Sequence, residues 1–109
     1  MSQFDVLRNI GRNRQQIPYV VVVQSSWFDK SRRRVVVPLV SCKAVEQVVR
    51  LPHSAINPVF EIEGQQVVLH PLEMVSVALE ALGEKVATLA EQGDEIMAAL
   101  DELFSRAWD

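Results

Sequence analysis

The hydrophobic pattern of this sequence predicts a mostly-β domain of the α+β class with one helix at its C-terminal end. Three observations carry that expectation. Two valine-rich runs, at residues 20–23 and 35–37, have the length and β-branched composition of buried strands. In residues 59–69, Phe60 and Ile62 alternate with Glu61 and Glu63, Gly64 turns the chain and Val67 to Leu69 return, as in a hairpin. From Val86 onward, apolar or small residues fall at 86, 90, 93, 97, 100, 104 and 107, the alternating four–three step of an amphipathic helix.

The elements follow in order. Phe4 and Val6 alternate with Asp5 and Leu7, which predicts a first strand over residues 3–8. The polar, basic stretch 9–17 is a connector, and Pro18 limits where the second strand can begin. After the two valine strands, Pro38 is expected at an edge or a strand end, because it has no N–H for a central ladder. Val45, Val48 and Val49 stand at helical spacing within residues 42–51, predicting a short helix or turn that Pro52 ends. In the hairpin, Phe60 and Ile62 share one face and Glu61 and Glu63 the other, and Gly64 makes the turn. Val75, Val77 and Leu79 alternate with Ser76, Ala78 and Glu80, favouring a sixth strand, with a helix as the alternative. In the terminal helix Leu89, Ile96 and Leu103 widen the apolar stripe, and Glu84 and Arg106 suit the two ends of its dipole. Gly93 would lie inside that helix, where it either admits a close neighbour or marks a break. Six short strands and one helix make a small barrel of the SH3-like type the expected architecture.

A chain of 109 residues, 49% of them apolar, has the size and composition of a single globular domain, residues 1–109. No apolar run is long enough to span a bilayer, and the first residues lack the apolar core of a signal peptide. One cysteine, Cys42, cannot form an internal disulfide, so a cytoplasmic location is expected and Cys42 reads as a small buried apolar residue. The net charge of −3 is unevenly spread. Residues 1–50 carry nine Lys or Arg against three acids, a balance of +6; residues 51–109 carry two against eleven, a balance of −9. Such halves either attract one another within the fold or a dimer, or offer the basic half to an acidic partner.

Constellations of catalysis are missing from the pattern. His53 and His70 each stand beside a proline without a metal-pairing neighbour, and no glycine cluster forms a phosphate cradle. Neither a cofactor nor a metal is expected, and the chain does not read as an enzyme. Arg32, Arg33 and Arg34 read as a solvated loop and strand start rather than a nucleic-acid site. The informative feature is Trp27 and Phe28, two large aromatics in the connector between the valine strands. They are either tucked under the domain or offered to a partner, and protein binding is the function this pattern favours.

The stretch VVVVQSSWFDKSRRRVVVPL, residues 20–39, resembles a block of the CcdB family of gyrase-poisoning toxins. There, a strand ending in Val-Gln-Ser leads through a short loop to an Arg-Arg strand closing on Pro-Leu. Gln3-Phe4, Asn57-Pro58-Val59, Glu61-Ile62 and the glycine hairpin fit the same family. So do Met74-Val75-Ser76-Val77, Leu82 through Ala87 and Asp94-Glu95-Ile96. The likeness runs nearly end to end and in order.

This resemblance implies an SH3-like barrel with a small additional sheet and a C-terminal helix, assembled as a homodimer. It implies the toxin of a type II toxin–antitoxin system, which binds the DNA gyrase A subunit and traps gyrase on cleaved DNA. A small acidic antitoxin would neutralise it, and the pair would repress its own operon, touching operator DNA only as a complex. The family's gyrase contacts fall on Trp27 and Phe28, on Asp101, and on Ser105, Arg106 and Ala107, where the family's Trp-Gly-Ile is absent. Trp108, one turn beyond Ser105 on a continuing helix, could restore the lost anchor. Two other functions compete. An mRNA endoribonuclease toxin of the MazF type would use Arg34 with Ser31 or Ser41, but the Gly-Asp and Arg-Pro features of that branch are not visible. A family member with lost or redirected toxicity would only bind antitoxin.

Overall fold

The structure, a computed structural model, describes residues 1–43 and 56–105, with the side chain of Ser105 left out. Among the described residues, seven antiparallel strands form one curled sheet, a half-barrel capped by a C-terminal helix: β1 (Asp5–Asn9), β2 (Tyr19–Val22), β3 (Arg33–Ser41), β4 (Val59–Ile62), β5 (Gln65–Leu69), β6 (Val75–Ala78), β7 (Leu82–Thr88) and α1 (Gly93–Ser105). The spatial order is β4-β5-β3-β2-β1-β7, with β6 branching from β3. The mostly-β α+β class expected from the sequence is therefore present, with a helix toward the C-terminal end. The addition to the barrel is the β6 branch, hydrogen-bonded into the same sheet.

The valine runs are strands because both their faces are covered. Val21, Val23, Val37 and Leu39 enter the main core with Val6, Tyr19, Phe60, Ile62, Val67 and Leu69, and Leu89, Ile96, Ala99 and Leu100 close it from above. Val22 and Val36 face the other way, into a smaller cluster with Leu7. A strand buried on both faces needs a continuous apolar run rather than an alternation. The hairpin is as expected: Phe60 and Ile62 are buried, and Glu63 and Gly64 both take positive φ (53° and 78°), as the tight turns matched to strand twist require.

Three expectations are corrected. Pro38 lies inside β3, opposite Val20 of β2, rather than at a strand end. It is tolerated because β3 changes neighbours there, from β6 at residues 33–36 to β5 at residues 39–41. The Pro38 carbonyl accepts from His70 N–H at 3.1 Å, and only the reciprocal donor is forgone. The first strand begins at Asp5, because Phe4 takes φ +69° to bond both Val22 and Leu89. Asp5 is buried, pairing with Lys85 at 3.3 Å and accepting from Ser2 N–H at 2.9 Å.

The largest correction concerns residues 82–92. Val86 and Glu84 belong to β7, an extra strand beside β1, and α1 starts only at Gly93. Gly93 is thus the first helical residue, and it does admit a close neighbour: a Cβ there would stand 2.5 Å from the Phe4 ring. The helix also faces differently. Gly93, Ile96, Ala99 and Leu100 are buried, whereas Ala90 is exposed, Met97 is 38% exposed and Phe104 66%. The predicted helix or turn at residues 42–51 lies outside the described residues beyond Lys43, as does His53, and Cys42 is half-buried.

The curl is pinned by a polar cluster that joins opposite halves of the sequence. Arg8 of β1 reaches Glu63 at the hairpin tip (3.2 Å) and Glu84 of β7 (3.1 Å), and the Tyr19 hydroxyl donates to Glu63 at 2.6 Å. Part of the charge asymmetry is therefore satisfied within the fold. The Tyr19 hydrogen bond, then that of Arg8, holds the Glu63 carboxyl below the usual glutamate range against a smaller opposing effect of burial. A carboxyl lowered in the folded state stabilises above its ordinary titration range, and the contribution disappears as pH falls through the lowered value. Urea unfolding should thus find Glu63→Gln less stable than wild type near pH 7 but converging with it as the pH falls through the lowered titration of the carboxyl. A gap that persists unchanged in acid would mean the pair contributes no pH-dependent stability.

Candidate protein-docking site

The connector between β2 and β3 has no ladder to hold it, so its shape comes from turns and side chains. Ser25 starts the turn, its hydroxyl accepting from Trp27 N–H at 3.2 Å, and residues Ser26–Phe28 wind one 3₁₀ turn. Phe28 N–H then donates to the Ser25 carbonyl, Asp29 N–H to Ser26 and Ser31 N–H to Phe28, at 2.9–3.1 Å. This winding turns both aromatics outward. Trp27 is 87% exposed and Phe28 58%. Beside them, Val23, Gln24, Ser25, Phe28, Ser31 and Val35 line a shallow open groove.

Two side chains brace the connector from beneath. Arg34, 4% exposed, donates to four backbone carbonyls: Nε to Met1 (2.9 Å), Nη1 to Ser31 (2.7 Å) and Arg33 (2.9 Å), Nη2 to Asp29 (2.7 Å). Gln24 donates to the Phe28 (3.1 Å) and Arg33 (3.3 Å) carbonyls while its oxygen accepts from Val35 N–H (3.2 Å). Ser2 adds a bond to the Asp29 carboxylate at 2.8 Å.

The reading of Arg32–Arg34 as a solvated run is thereby corrected for Arg34. A buried guanidinium needs acceptors for its N–H groups, and four backbone carbonyls, two of them in the connector, take four of the five. Arg33 is exposed but bound to Ser76 through its hydroxyl (2.9 Å) and carbonyl (2.8 Å), while Arg32 is exposed and its carbonyl accepts from Leu79 N–H at 3.0 Å. Arg34 is equally engaged where a ribonuclease would need it, Ser31 gives its carbonyl to Arg34, and Ser41 is buried and accepts from Gln65 at 3.4 Å.

Of the other candidate positions, Asp101 lies on the exposed face of α1, three residues before the exposed Phe104. No hydrogen bond or ion pair among the described residues joins it to the aromatic turn. Ser105 is the last described residue of the helix, and Arg106, Ala107 and Trp108 lie outside the described residues. The chemistry of the site is that of docking: exposed apolar area on a rigid, hydrogen-bonded turn. Among the described residues no group of three or more His, Cys, Asp or Glu side chains could hold a metal ion. No helix among them is long and apolar enough to cross a membrane. Gln24 and Arg34 were not legible as site residues, because a brace is defined by the carbonyls it meets. A family model described as CcdB protein matches residues 3–105. No curated protein matches the chain.

Proposed function

Because the chain belongs to the CcdB family, a family of toxins of toxin–antitoxin systems that typically target gyrase, we propose that it binds the DNA gyrase A subunit and traps the gyrase–DNA cleavage complex. The observation that carries this reading is the outward pair Trp27 and Phe28. They stand where the sequence resemblance puts the family's gyrase contacts, both are exposed, and large aromatics on a rigid support are the usual anchors of a protein interface. Asp101 and the tail, Ser105 to Trp108, complete the proposed gyrase-binding set. The protein acts by binding and not as an enzyme, as a homodimer, in the cytoplasm.

A small acidic antitoxin neutralises it, and the pair represses its own operon by binding operator DNA as a complex. Support for an acidic partner comes from Arg12, Arg14, Lys30, Arg32 and Lys43, all exposed and none in an ion pair among the described residues. Expression in the host is expected to arrest growth with RNA intact and broken DNA accumulating, and co-expressed antitoxin should restore growth. Cleavage of RNA by the purified protein would assign it to the ribonuclease toxins instead. Antitoxin capture without growth arrest would make it a family member whose toxicity is lost.

A further inference from the structure

We propose that Gln24 and Arg34 are positioning residues for docking: they hold the 25–32 connector in the one conformation that presents Trp27 and Phe28. This inference rests on the gyrase reading above. The connector contains no glycine or proline to stiffen or bend it, and it pairs with no strand. Its own turn bonds are local, spanning three residues each. Ser2 bonds the Asp29 carboxylate and Leu79 N–H the Arg32 carbonyl at its far end, but the bonds that tie the aromatic turn's own backbone to the barrel come from two side chains, Gln24 and Arg34. Gln24 grips the Phe28 carbonyl, within the aromatic turn itself, and Arg34 grips Asp29 and Ser31 just after it.

The geometry has the features of a device rather than a packing filler. Arg34 makes no ion pair among the described residues, and every bond it donates goes to backbone oxygen. A planar fork with donors at fixed angles can satisfy carbonyls arriving from four directions, whereas an ammonium is a compact point donor. Gln24 bridges barrel and connector in one side chain, since its oxygen takes the Val35 N–H of β3 while its amide nitrogen holds the turn. Exposed aromatics on a connector without these ties would sample many orientations, and a partner would have to order them on binding.

The test combines amide hydrogen exchange with binding to a purified fragment of the host gyrase A subunit spanning its dimerisation region. Arg34→Lys keeps the charge and loses the fork; Gln24→Met keeps the length and loses the bonds at a half-buried position outside both core clusters. Each should speed exchange at residues 25–32 by about tenfold or more with protection of the β1–β2 ladder unchanged, and weaken gyrase-fragment binding by a similar factor. Should Arg34→Lys fail to fold, Gln24→Met decides alone. Unchanged exchange in the connector overturns the brace, and faster exchange with undiminished binding overturns its role in docking. Wild-type protein that ignores the fragment would overturn the gyrase reading, and the exchange pattern then decides the brace by itself.

Discussion

Trp27→Ala is expected to weaken binding to the gyrase A subunit by about 30-fold or more, corresponding to about 2 kcal/mol for an aromatic anchor. The same change should leave the unfolding free energy within about 0.5 kcal/mol of wild type, as for other exposed positions away from the core. The reason for the contrast is the 87% exposure of the indole, which contributes almost no packing to the barrel. Calorimetry on the purified variant separates the two quantities. A large loss of stability would return Trp27 to the core, and unchanged affinity would remove it from the site.

Ile96→Ala should cost about 2–5 kcal/mol, whereas Met97→Ala, one residue along, should cost about 0.5 kcal/mol or less. Ile96 is completely buried beneath α1 among barrel residues, and Met97 points outward. The apolar periodicity had set 97 and 104 in the centre of the stripe and 96 at its margin. Equal costs for the two variants, measured by urea unfolding, would contradict the helix orientation.

That misreading has a physical cause in β7. The register between β1 and β7 shifts twice, between Val6 and Leu7 and between Leu7 and Asn9. Irregularities of this kind break the period of two, so burial along Leu82–Thr88 changes every two residues and mimics a helical period of about four. Val86 thus entered a pattern that continued smoothly into the true helix. By contrast β2, β3 and the Val59–Leu69 hairpin were legible because composition and turn chemistry are local. Pro38 was misplaced because sequence alone does not show that a central strand changes neighbours opposite it.

The site was legible in part for the same reason. Two aromatics in a polar connector are conspicuous in any sequence, but their outward direction depends on the turn that Ser25 caps and Gln24 and Arg34 hold. Arg34 was misjudged because three adjacent arginines look alike until one of them is enclosed. The opposite-signed halves were likewise ambiguous. Arg8, Lys85 and their carboxylate partners meet inside the fold, while the cations of the connectors remain outward.

The most direct measurement is a supercoiling and cleavage assay with the purified protein and the gyrase of its own host. The account predicts linear DNA carrying covalently attached gyrase, formed with wild-type protein and abolished by Trp27→Ala. Gyrase that supercoils normally in a large excess of the folded protein would contradict it.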